Sequence, residues 1–174
     1  MMSICQYFLC FAVFSFIGWA YETVYYSIQQ RKFVNSGFLS TCFCPIYGMG
    51  AMLDLILLGW IENPLILFFA GMVVTCSLEY FVSWLLETLF HKRWWDYTGE
   101  PFNFQGRISL AYSIAWGIIG TIFVEKIHPF LKKQLEKLTI KIPHKVQVIL
   151  LNVFLVIILI DFVMSITRYS IALY

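Results

Sequence analysis

The chain has 174 residues, of which 60% are hydrophobic, 19% aromatic and only 13% charged, with a formal net charge of +2. A soluble domain carries about 25% charged residues and roughly 45–50% apolar ones, so the balance belongs to a membrane protein. So small a net charge supplies no basic field for nucleic acid, and the apolar runs leave no room for a separate soluble domain.

A helix needs about 20 mainly apolar residues to cross about 30 Å of hydrocarbon. Five stretches qualify in chain order: 5–27, 43–61, 65–90, 108–127 and 146–167. The first has no basic segment before it and runs past the 7–15 residues of a signal-peptide core, so it reads as a span. The second opens in CFCPIYGMGA, where Pro45 and small residues favour a broken or re-entrant start. Residues 62–64 (Glu-Asn-Pro) make a tight hairpin into the third, and 91–107 form the longest polar and aromatic loop.

Between 129 and 143, Phe130, Leu131, Leu135, Leu138 and Ile142 recur near helical spacing with lysines on the other face. That pattern predicts an amphipathic helix in the headgroup plane, bounded by Pro129 and Pro143. The expected fold is all-α: about five transmembrane helices plus this interfacial helix, in one membrane domain over 1–174. With five spans, Lys and Arg fall six to each side, so the positive-inside count is balanced. The lysine-rich segment near 126–145 tilts it towards an inside N-terminus.

Five cysteines leave at least one unpaired, and the Cys42/Cys44 pair lacks the spacing of a metal site, so small apolar filler is the stronger reading. The ionisable residues inside apolar runs are more informative, because each costs a few kcal/mol there, about 2.5–3.5 at mid-helix. They are Glu22, Asp54, Glu79, Glu87 and Asp161. Glu79, Ser83 and Glu87 repeat every four residues along one helical face, and Glu87 lies one turn from the 91–107 loop, within expected reach of Lys92, Arg93 or Arg107. Glu22 ends the first span close to Arg31 and Lys32, on the same expected side. Helix-end salt bridges account for such residues one at a time; together they read as a polar cluster at one interface. Asp161 is seven residues from Arg168 and is expected to pair with it. Asp54 has no partner in the sequence and is expected to be protonated.

The loop 91–107 interleaves Trp94, Trp95, Tyr97, Phe102 and Phe104 with Asp96, Asn103, Gln105 and Arg107. An aromatic belt explains the rings but not the polar residues between them. The sequence holds no G-x-x-x-x-G-K-[ST], no H-E-x-x-H and no G-x-S-x-G, so this chain carries no nucleotide-binding or hydrolase motif of those kinds.

Three segments, FIGWAYETVYY, RKFVNSGFLSTCFCPIYGMGA and LEYFVSWLLETLFHKRWWDYTGEPFNFQGRISLAYSIAWGIIG, together resemble the bacterial CmpB-like family of type IV ABC-transporter permeases. The strongest motif is R-W-W-D-Y followed by F-N-x-x-G-R. The resemblance implies a multi-pass protein of the bacterial cytoplasmic membrane, a permease subunit with no cofactor of its own, ATP entering only through a separate ATP-binding subunit. It implies substrate-path or headgroup-binding roles for Glu22, Arg31, Asn35, Tyr47, Glu79, Glu87, Trp94, Trp95, Asp96, Asn103 and Arg107, and marks Gly37, Pro45, Gly48 and Gly106 as motif positions. Five spans are few for a pore, so a homo-oligomer or a partner permease is expected, with the lipid bilayer as surroundings and the 129–143 helix as a docking element. Two other readings fit the same residues. One is a lipid-headgroup enzyme or binder, with Glu87 or Glu22 moving a proton and Arg93 or Arg107 clamping a phosphate. The other is a non-catalytic accessory subunit.

Overall fold

The computed structural model describes residues 3–171. It is helical, as the apolar runs imply. Helix α1 spans Ile4–Gln30, α2 Pro45–Leu58 and α3 Pro64–Phe90. A short hairpin of β1 (Asn103–Phe104) and β2 (Ile108–Ser109) leads into α4, Leu110–Ile122. A π-helical turn, Phe123–Ile127, joins α4 to α5, His128–Lys141, and α6 covers His144–Ile171. Among the described residues, four helical runs are long and apolar enough to cross a membrane: α1, α3, the continuous run Leu110–Lys141, and α6.

The second apolar stretch, whose start was expected to be broken or re-entrant, forms a short helix: at 14 residues, α2 rises about 21 Å, less than the hydrocarbon thickness. Gly59 and the loop to Asn63 end it before a full crossing. The amphipathic helix is not set off by Pro129. That proline lies inside helical structure that runs unbroken from Leu110 to Lys141, directly after the π-helical turn Phe123–Ile127, a place where a helix takes up such an interruption.

Local sequence explains the helix ends. Ser3 caps α1 in a reciprocal capping box with Gln6, and Arg31 closes it in the left-handed conformation at φ 52°. Asn63 accepts from the amides of Leu65 and Ile66 ahead of Pro64, which starts α3 at the position where proline suits a helix best. His91, at φ 48°, ends it.

The chain forms two compact units. One takes the residues up to Gly48 and those from Phe130 on; the other is Met49–Pro129. In the first, α1 buries Cys5, Gln6, Cys10, Ser15, Gly18 and Thr23, a face of small and polar residues of the kind that lets membrane helices approach closely. Gly48 meets this face: a Cβ there would stand 2.6 Å from the Phe11 carbonyl oxygen. Phe154 of α6 packs edge-on against Phe8 and Phe43, at 5.1 and 5.0 Å between ring centres. The buried residues of α6 are Asp161 and Ser165, and its exposed aliphatic length (Ile149, Val156, Leu159, Val163) suits lipid.

Asp161 does not join Arg168 as the spacing implies. Its carboxylate accepts from the Ser40 and Thr41 amides at 3.0 and 2.8 Å and from the Thr41 hydroxyl at 2.6 Å. Arg168 bonds the Ser40 hydroxyl and the Phe38 carbonyl. Both side chains hold the 38–41 loop, and among the described residues no ion pair links them.

In the second unit, α3 and α4 run antiparallel with Gly117 of α4 against Phe68. The Cys76 thiol donates to the Ser113 hydroxyl at 3.0 Å, and that hydroxyl donates to the Ser109 carbonyl.

Candidate functional site

Polar residues of the second unit gather where α3 ends and the 91–109 segment folds back. The fold-back begins with a turn in which the Arg107 amide bonds the Phe104 carbonyl at 3.0 Å, with Gln105 and Gly106 at φ 53° and 67°. Gly106 is required twice over. Its φ lies in the left-handed region, and a Cβ would stand 2.5 Å from Thr98 Oγ1, 2.6 Å from Asp96 Oδ1 and 2.8 Å from Arg93 Nη1.

Asn103 locks the turn from outside. Its side-chain amide donates to the carbonyls of Thr98 and Glu100, and its oxygen accepts from the Gly106 amide at 3.0 Å. Asp96 accepts from the amide and hydroxyl of Thr98. Those bonds, and Arg93 beside them, hold its carboxyl below the ordinary 3.8. The Trp95 indole donates to the Arg107 carbonyl at 3.0 Å. Trp94 packs on Phe90 and takes Lys92 over its ring at 5.2 Å.

The turn carries Arg107 into the unit, where its side chain is only 11% exposed. It pairs with Glu87 Oε2 at 2.6 Å, while Arg93 Nε pairs with Glu87 Oε1 at 2.8 Å. Tyr80 flanks the guanidinium of Arg107 at 5.7 Å, and Ser83 lies at 3.4 Å from Nη1. Hydrogen bonding to Glu87 raises the Arg93 guanidinium further above its ordinary value. Two arginines therefore converge on one carboxylate at the end of α3, and Asp96 lies 3.4 Å from Arg93.

One turn deeper than Ser83, Glu79 is 7% exposed. The Tyr97 hydroxyl donates to its Oε1 at 2.9 Å, and the Trp116 indole lies near it. Tyr97 is held for this by stacking on Tyr112, with ring centres 4.5 Å apart. Among the described residues Glu79 has no ion pair.

The first unit holds a second polar group. Glu22 accepts from the Ser36 hydroxyl at 2.6 Å and the Tyr47 hydroxyl at 2.8 Å. Thr23 accepts from the Ser36 amide, and Asn35 accepts from the Trp19 indole at 2.6 Å while donating to the Ser40 carbonyl. Arg31 forms the exposed cap of α1, so Glu22 meets hydroxyls and not the Arg31 and Lys32 expected beside it.

The candidate residues thus divide. Glu79, Glu87, Trp95, Asp96, Asn103 and Arg107 belong to one network with Trp94 at its edge; Glu22, Asn35 and Tyr47 belong to the first unit, and Arg31 to a helix end. Sequence reasoning passed over Ser36 as a partner of Glu22, Tyr97 as a partner of Glu79, and Trp116 as a neighbour of Glu79. Nothing in the sequence marks those three beyond their residue types. Among the described residues no three His, Cys, Asp or Glu side chains gather within metal reach, and all five cysteines are free.

Apolar helices long enough to span, joined to an internally paired charged turn, define a multi-pass helical membrane protein. The chain belongs to the family described as "Putative ABC-transporter type IV", whose model matches residues 9–166. No curated protein and no solved structure matches it significantly.

Proposed function

We propose that this chain is the membrane-spanning permease subunit of an ABC-type transporter of the bacterial cytoplasmic membrane. It works as an oligomer or beside a second permease, with ATP hydrolysis supplied by a separate nucleotide-binding subunit. The observation that carries this reading is Glu79. A carboxyl buried within a helix long enough to span, met by a phenol in place of a cation, is costly to keep, and intramembrane acids of this kind mark substrate or ion paths. Glu87 is assigned a different part. Held by two arginines, it staples the 91–109 turn to α3 and keeps the wall of the path in place. The same pairing weakens the lipid-headgroup reading, because Arg93 and Arg107 already bond a carboxylate and neither is a free phosphate clamp.

The test is native mass spectrometry of the protein extracted gently from its host membrane, with ATP hydrolysis measured on the same preparation. The expected result is a complex with a nucleotide-binding subunit in fixed stoichiometry, in which Glu79→Gln leaves assembly intact and lowers the transport-coupled ATP turnover. A chain or homodimer that carries only lipid, with no nucleotide-binding partner, overturns the proposal.

A further inference from the structure

Asp54 is the buried acid that neither polar network uses. It stands in the middle of α2 and is 3% exposed, with apolar or small residues on both sides from Gly48 to Leu58. Its depth follows from its neighbours. Leu78 lies beside Gly50 and Leu58 beside Gly71, so antiparallel α2 and α3 bring Asp54 level with Val74 and Thr75, in the middle turns of α3. On α4 it faces Gly120, where a Cβ would stand 2.9 Å from Asp54 Oδ2. Oδ1 is buried and has no hydrogen-bond partner among the described residues.

The groups on the surrounding elements are engaged elsewhere. On α2 the other titratable side chain, Tyr47, bonds Glu22. On α3 the Thr75 hydroxyl turns back to the Gly71 carbonyl, Cys76 donates to Ser113, Glu79 accepts from Tyr97, Tyr80 donates to Gln105, and Glu87 pairs with Arg93 and Arg107. On α4, Tyr112 stacks on Tyr97. In the π-helical turn Glu125 and Lys126 are exposed. Every ion pair among the described residues involves Glu87, Arg93, Asp96 or Arg107. Of the other two aspartates of the chain, Asp96 accepts from one backbone amide and a hydroxyl, and Asp161 from two backbone amides and a hydroxyl.

A lone ionised carboxylate in such surroundings is the costliest state of the group, and a buried acid without a counter-charge takes up a proton instead. A metal cation would need several further oxygens around it, and the wall here is a glycine. We propose that Asp54 is a proton-binding site inside the membrane domain, walled by Gly120 and occupied by a proton at neutral pH. The reaction is simple protonation: a proton from water joins Oδ1 or Oδ2 and the carboxylate becomes a neutral acid. The proposal stands apart from the transporter reading, because occupancy of the site is measured without any substrate.

The probe is infrared spectroscopy of the protein in phospholipid nanodiscs at neutral pH, with the aspartate side-chain carboxyls isotopically labelled. The expected result is an isotope-sensitive band of a protonated carboxyl, slow to respond to deuterated water, lost in Asp54→Asn and shifted in Gly120→Ala. Wild type alone can refute the idea: a spectrum with no such band at neutral pH overturns it, even where Asp54→Asn fails to fold. A band that persists in folded Asp54→Asn also overturns it. A band removed by sodium or potassium salt at constant pH makes the occupant a cation and overturns the proton assignment.

Discussion

Replacing Tyr97 by Phe removes one oxygen atom from the second unit. The ring stays, and with it the stack on Tyr112 at 4.5 Å, so the substitution isolates the hydrogen bond of 2.9 Å to Glu79. Leaving a buried acceptor unsatisfied costs about 1–3 kcal/mol. Side-chain hydrogen bonds between membrane helices average about 0.6 kcal/mol and reach about 1.7. The depth of Glu79 places this bond towards the upper part of those ranges. The expected loss is about 1–2 kcal/mol, roughly a five- to thirtyfold change in the folding equilibrium. It is measured by reversible unfolding in mixed micelles, in a double-mutant cycle with Glu79→Leu, which leaves no acceptor for the phenol. The two single changes together should cost clearly less than their sum, because each removes the same bond. An additive cycle, or a Tyr97→Phe loss under about 0.5 kcal/mol, refutes the claim that this phenol holds the buried acid.

Gly106→Ala is expected to lower the thermal stability and expose the 91–109 segment to protease, because a left-handed φ of 67° and a Cβ against Thr98, Asp96 and Arg93 act together. Strain in φ alone costs about 1–2 kcal/mol. Gly99→Ala, with nothing within 4 Å of the added carbon, should be close to neutral by the same measurement. The Asp96 carboxyl, depressed by its bonds to Thr98, contributes stability above its ordinary 3.8 and loses it as the pH falls through its lower folded value. Protection of the Thr98 amide from hydrogen exchange should therefore hold from neutral pH down to about the unfolded value near 3.9 and decline below it, and Asp96→Asn should remove that decline.

Much of the fold is legible in the sequence because its causes are local. Hydrophobic length sets the spans, and Ser3 with Gln6, or Asn63 with Pro64, sets where helices start. Four-residue spacing placed Glu79, Ser83 and Glu87 on one face, and proximity to the helix end brought Arg93 and Arg107 within reach of Glu87. The length of α2 was less legible, since the apolar run outlasts the helix: Cys42–Cys44 and Gly59–Ile61 are apolar but not helical. Spacing misled for Asp161 and Arg168, which share a helix face and yet both bond a loop more than a hundred residues away.

The sequence by itself determined the solvent of this protein. With 60% hydrophobic residues in runs of span length, only a helical membrane protein keeps its backbone hydrogen-bonded in lipid. The tertiary structure decided the company of each costly acid: arginines for Glu87, a phenol for Glu79, hydroxyls for Glu22, a loop backbone for Asp161, and a bare glycine for Asp54. Composition and period are properties of a single segment, whereas a buried charge is answered by whichever face another segment turns towards it, and that depends on packing between helices far apart in the chain.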